Sequence, residues 1–179
     1  MEREWIKGDR VLERIKDLIG TVGEKLGIEI MSLVLFGSRA RGDRNSQNDY
    51  EILLLTHDNI GLNSYILIND TLKLELLKEK LFRVKVQVYT PETFEKILYN
   101  DEITGTFLYM ICKECIVLYD KCGTFGQILE RISFNSMKDE EVFIKQCIEF
   151  ARMFGSEKWA QKWEKVLMQH KYIKKRKGY

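Results

Sequence analysis

The chain has 179 residues, 45% of them hydrophobic and 31% charged, the profile of a globular protein long enough for one domain plus a helical appendage. A formal net charge of +2 is too small to argue for nucleic-acid binding by itself, and no run approaches the ~18 apolar residues that would span a bilayer. Met1 to Arg10 is charged and no apolar segment follows, so the expected location is cytoplasmic, without membrane attachment. There the cysteines Cys112, Cys115, Cys122 and Cys147 are expected to be thiols. Cys112 and Cys115 have metal-knuckle spacing, but no convincing second pair accompanies them.

Residues 4–26 carry an apolar stripe at helical spacing, Trp5, Val11, Leu12, Ile15, Leu18, Ile19, Val22 and Leu26, and Gly27 is placed to end that helix. Residues 28–36 read as a strand entering the interior. The glycine-rich stretch Gly37 to Asp43 and a polar turn at 45–48 follow. Residues 49–55 form a second strand that becomes continuously apolar, which predicts a central position covered on both faces. A loop is expected over 57–63 and a helix over 70–81, with Leu72, Leu76 and Leu77 on its apolar side. Residues 83–89 alternate strictly, as a half-buried strand does. Thr90 is a helix cap with Pro91 in the first turn, and one helix is expected over 92–102, with 105–110 continuing it or starting another. A short strand at 116–120 precedes helices at 123–133, 138–154 and 158–171. The pattern is α/β to about residue 120 and helical beyond, which suggests domains at 1–120 and 121–179.

The chemistry concentrates between the first two strands. Gly37-Ser38-Arg39-Ala40-Arg41-Gly42 follows an apolar strand, so its backbone N–H groups can face a phosphate, and Gly37 lets the chain approach it closely. Ser38 can donate a hydroxyl hydrogen bond, and Arg39 and Arg41 are positive. Asp49 and Glu51 lie two apart on the next strand, so both side chains point to one face. Such a pair repels itself unless a cation joins it, and Mg²⁺ is held by one or two carboxylates together with substrate phosphates.

This combination, with Asn48-Asp49-Tyr50-Glu51 and the later segment Val88 to Glu92, resembles the signature of the minimal nucleotidyltransferases of the DNA polymerase β superfamily. The resemblance spans about residues 28 to 118. It implies a small mixed sheet flanked by helices, with a C-terminal helical module. It also implies a Mg²⁺-dependent transfer of a nucleoside monophosphate from an NTP, ATP first, to a hydroxyl of a small molecule, protein or RNA. In that reading Asp49 and Glu51 bind metal and serve catalysis, while Gly37, Ser38, Arg39 and Arg41 hold the nucleotide. The sequence departs from the pattern twice. The second carboxylate is Glu51 rather than aspartate. Where the family usually places a third carboxylate, which activates the attacking hydroxyl, spacing from Pro91 puts Lys85, with Gln87 as its same-face neighbour. Lys85 is therefore expected to contact phosphates or neutralise the acidic pair, and Glu75 and Glu79 are weaker candidates for a base. The alternative is a catalytically degenerate relative that binds a nucleotide or, like an antitoxin, a protein partner.

In the C-terminal region Phe143, Ile144, Cys147, Ile148, Phe150, Ala151 and Phe154 form one wide apolar face, and Trp159, Trp163, Val166 and Leu167 a second. They are expected to pack on each other and on the α/β part; the alternative is a homodimer or protein-partner interface. The basic run from Lys171 to Lys177 reads as a solvated tail, with nucleic acid as the less favoured partner.

Overall fold

The computed structural model describes residues 8–42, 49–57, 60–100, 102–132, 140–153, 155 and 157–176. The sequence expectations for Trp5 and the helix start at 4–7, the turn at 45–48, Ser133, Lys138, Phe154 and Lys177 lie outside the described residues, as do the side chains of Phe143, Phe150 and Trp159.

The first helix, α1 (Arg10–Leu26), starts at a cap that the apolar stripe conceals. Asp9 accepts hydrogen bonds from the amides of Val11 at 3.0 Å and Leu12 at 3.2 Å. Gly27, with φ +63°, closes the helix in the left-handed conformation, as its position in the sequence predicts. Asp9 also receives the Tyr50 hydroxyl, at 3.1 Å to Oδ1 and 2.9 Å to Oδ2. Asp9→Ala is therefore expected to remove both cap bonds and strand the hydroxyl of a buried tyrosine. The cost is about 1–2 kcal/mol, a fall in melting temperature of roughly 2–8 °C by calorimetry.

Four strands, β1 (Ile30–Phe36), β2 (Tyr50–Thr56), β3 (Val84–Tyr89) and β4 (Ile116–Asp120), form one sheet in the order β3-β2-β1-β4. β1 is antiparallel to β2 and β4, while β2 and β3 are parallel, so the sheet is mixed. The apolar run of β2 is central, and Ile52 to Leu55 are fully buried. Alternation sends Leu33 and Leu35, Ile52 and Leu54, and Val88 to one face, against Leu12, Ile15, Ile19 and Val22 of α1 and Ile68, Leu72 and Leu76 of α3 (Leu62–Lys78).

The helix α3 begins eight residues before the expected 70. Its extra turns place Leu62, Ile66 and Leu67 in solvent, along with Leu74 and Leu77. Apolar residues on the outer side blur the stripe that marks an amphipathic helix, and Leu77, expected to be inward, is exposed.

Thr90 caps α4 (Pro91–Asn100) through its Oγ1, which accepts from the Thr93 amide at 3.1 Å. The helix expected over 92–102 is shorter, because α5 (Glu102–Glu114) starts as a separate element. On the second face of the sheet, Phe94 of α4 meets Tyr89 and Phe125 edge to face, at ring separations of 5.9 Å and 6.1 Å. Phe125 belongs to α6 (Thr124–Arg131), which packs on β1 and β4. Asp120 fastens that helix: it accepts from the buried Ser32 hydroxyl at 2.7 Å and from the amides of Phe125 and Gly126, each at 2.9 Å.

The chain divides into two compact units, Met1–Glu95 with Ile111–Ile132, and Lys96–Met110 with Ser133–Tyr179. In the second unit α7 (Glu140–Met153) packs on α8 (Glu157–Arg176). Ile144, Cys147, Ile148 and Ala151 of α7 close over Ala160, Trp163, Val166 and Leu167 of α8. The two apolar faces are thus turned on each other. The basic run expected as a tail continues α8 as far as Arg176. Among the described residues, no helix is long and apolar enough to cross a membrane.

Candidate functional site

The end of β1, the start of β2 and the start of β3 lie side by side at one end of the sheet. Phe36 pairs with Glu51, and Glu51 pairs with Lys85. Cross-strand partners share a face. Glu51 and Lys85 are therefore together on the face opposite α1.

β1 leads directly into α2 (Gly37–Arg41), a single short turn of helix closed by Gly42 in the left-handed region. Gly37 enters it at φ +75°. A methyl group at Gly37 would fall 1.8 Å from Glu51 Oε2 and 2.8 Å from its Cδ. The Glu51 carboxylate thus rests directly on the glycine, where any side chain would displace it. Ser38 follows as the second residue of α2 and is partly exposed.

Asp49 stands immediately before β2, and its Oδ2 is 2.6 Å from Lys85 Nζ. The hydrogen bond to Asp49, with the charges of Asp49 and Glu51 added, holds the Lys85 ammonium above the ordinary lysine range. A raised lysine stays charged through neutral pH, and what the pair contributes is lost only as pH climbs beyond that range. Gln87, two residues on along the same face, has a buried Oε1 with no hydrogen-bond donor among the described residues.

The two arginines go elsewhere. Arg39 stacks on the Tyr50 ring, 3.8 Å from its centroid. Tyr50 and Glu51 point to opposite faces of β2, so this guanidinium lies on the α1 side. Burial, and then the Asp9 hydrogen bond, push the Tyr50 phenol up to about 12. Arg39, Tyr50 and Asp9 thus tie the turn after β1 to the start of α1, a connection that local spacing does not reveal. Arg41 pairs with Glu114 at 3.2 Å. Glu75 and Glu79, weighed as substitute bases, are on α3 and at its end, facing α1. Glu75 pairs with Lys25 and Lys78, and Glu79 with Arg14.

Two carboxylates on one face suit a divalent ion that arrives with phosphate oxygens to complete its shell. No group of three His, Cys, Asp or Glu side chains that could hold a metal occurs among the described residues. Asp49 and Glu51 alone would need further oxygens, such as those of a phosphate, to complete an ion's shell. The cysteines offer nothing comparable. Cys112 is buried, and burial pushes its thiol well up, as it does those of Cys115 and Cys147, each to about 11. They remain protonated at neutral pH, and a protonated thiol is a poor ligand.

A crystal structure of a toxin-antitoxin with AMP-PNP resembles the chain at 12% sequence identity and a TM-score of 0.39, over 89% of this chain and 92% of that one. No curated protein sequence matches it. The family described as "Polymerase beta, Nucleotidyltransferase" matches residues 18–122, more than half of the chain. That span holds the whole sheet, the glycine turn, both carboxylates and Lys85, and the chain belongs to the polymerase β nucleotidyltransferase family.

Proposed function

We propose that this chain is a Mg²⁺-dependent nucleotidyltransferase that moves a nucleoside monophosphate from an NTP, ATP first, to a hydroxyl of a small molecule, protein or RNA. The observation that carries this reading is the seat of Glu51 on Gly37 at one end of the sheet, with Asp49 joined to the neighbouring Lys85. Ser38 and the amides of the turn hold the triphosphate. Asp49 and Glu51 hold the metal, which when bound neutralises charge on the phosphates. An acceptor oxygen bonds to the α-phosphorus as the bond to the β-phosphate oxygen breaks, and pyrophosphate leaves. Lys85 cannot accept the hydroxyl proton, so water or the leaving pyrophosphate takes it. The lack of a base costs about 10²–10⁴ in rate, while positioning and electrostatics remain. Arg39 and Arg41 reach the nucleotide only by leaving Tyr50 and Glu114. The transferase chemistry belongs to the unit that holds the sheet, and the helical unit presents Met153, Met168 and Tyr172, all exposed, to a partner or second copy.

Calorimetric titration with ATP, GTP, CTP and UTP tests the reading. Binding of at least one of them, lost when Mg²⁺ is chelated, is expected, together with pyrophosphate release once a suitable acceptor is supplied. If none of the four binds, only the fold has been kept. Lys85 in place of a third carboxylate favours a second reading, a protein that binds the nucleotide without transferring it. Metal-dependent binding with no pyrophosphate from any acceptor class would decide for it.

A further inference from the structure

We propose that Lys85 is a built-in replacement for a second metal ion, so that this site takes one divalent cation with its nucleotide and not two. The inference rests on the nucleotide-binding reading above and goes beyond it by assigning the site's metal stoichiometry. Two-ion phosphoryl-transfer sites clamp the attacking and leaving oxygens with a pair of cations a few ångströms apart. Holding both ions needs enough carboxylate charge between them. Here Asp49 and Glu51 supply two carboxylates, and the β3 partner of Glu51 carries an ammonium that also pairs with Asp49.

The geometry places that ammonium where it acts as a cation of the site. Lys85 is the β3 partner of Glu51 in the parallel ladder, and its Nζ lies 2.6 Å from Asp49 Oδ2. It therefore neutralises one of the two carboxylates without help from outside. A second divalent ion would have to share Asp49 with a fixed positive charge within bonding distance, and like charges that close exclude one another. A first ion differs, because it arrives with the negative charge of the triphosphate.

Lys85 has no heavy structural duty. Its side chain is 67% exposed, and β3 is an edge strand that pairs with β2 alone among the described residues. Exposed ion pairs contribute little to folding. Position 85 can thus be changed while the sheet stays intact, which lets the idea be tested by counting ions.

The experiment uses the full chain with α,β-methylene-ATP, whose α–β bridge cannot be cleaved, so no turnover intervenes. Mn²⁺ is titrated and the free ion is followed by electron paramagnetic resonance. Bound Mn²⁺ is expressed per bound nucleotide. The wild type is expected to bind one ion per nucleotide and Lys85→Asp two, with Lys85→Met remaining at one. Circular dichroism melting checks that all three are folded. Two ions per nucleotide in the wild type would overturn the proposal while leaving the nucleotide site standing. One ion in both the wild type and Lys85→Asp would also overturn it, because a carboxylate at position 85 would then not open a second metal place. Absence of nucleotide binding in every variant would instead remove the underlying reading and the inference with it.

Discussion

Asp49→Asn combined with Glu51→Gln is expected to abolish Mg²⁺-dependent nucleotide binding and to lower nucleotidyl transfer by at least about 10³. The substitutions keep the shape of both side chains and delete only their charge. The site then has no anionic ligand for the metal, and the Lys85 ammonium, now without its 2.6 Å partner at Asp49, leaves it net positive. The single substitutions should not sum to the double, since a ligand pair works as a unit and losing either member already spoils the metal's place. Folding should be little changed: Asp49 stands ahead of the strand and is partly exposed, and Glu51 is half-buried, whereas Ile52 to Leu55, which hold β2 in the core, are untouched. The measurements are calorimetry with ATP and Mg²⁺, pyrophosphate release for transfer, and thermal melting for the fold. A double variant within tenfold of wild type in transfer would place the chemistry away from this end of the sheet.

The parts of this molecule that the sequence made legible are those in which local rules and long-range packing agree. Gly27 stops α1 because a left-handed residue is needed there, and a glycine after an apolar stripe signals that by itself. The unbroken apolar run of β2 showed that both faces are covered, as they are between β1 and β3. The pair Asp49 and Glu51 after a Gly-Ser turn pointed to one end of the sheet because strand alternation is a local property.

What stayed hidden depends on partners far away in the chain. Asp9 is a good cap residue, yet the apolar pattern runs back to Trp5 and conceals where the helix begins. Arg39 carries the charge a phosphate site calls for, but its direction is decided by the Tyr50 ring, which becomes a neighbour only once β1 and β2 pair. The start of α3 was obscured because Leu62, Ile66 and Leu67 face solvent, against the rule that reads apolar spacing as burial. The discontinuous division of the chain has the same origin. Asp120 accepts from Ser32 and from two amides of α6, so a helix beyond the last strand folds with the sheet. The distance to Pro91 suggested a place for Lys85 along β3, but not which strand residue it would lie beside. A slip of one residue would have turned it to the other face, and only the parallel pairing with β2 decides between the two.

Gly37→Ala should separate what the fold requires from what the site requires. Two effects act at this position. A residue with a Cβ at φ +75° is strained by about 1–2 kcal/mol, which in a chain of this length lowers the melting temperature by roughly 2–8 °C. The added methyl would also fall 1.8 Å from Glu51 Oε2, far inside contact distance. Because that oxygen ends a flexible side chain, the carboxylate swings away and the strand stays where it is. The stability loss is therefore modest. The functional loss is not: a ligand displaced by an ångström or more no longer meets a metal that must be held to about half an ångström, and transfer should fall by roughly 10²-fold. Gly27→Ala supplies the comparison. It carries the same backbone strain at φ +63°, with nothing within 4 Å of the new methyl and no contact with the site. The two variants should lose similar stability by calorimetry, and only Gly37→Ala should lose metal-dependent nucleotide binding and pyrophosphate release. Equal activity in the two would mean that Glu51 does not act from its seat on the glycine, and Asp49 alone would then have to carry the metal.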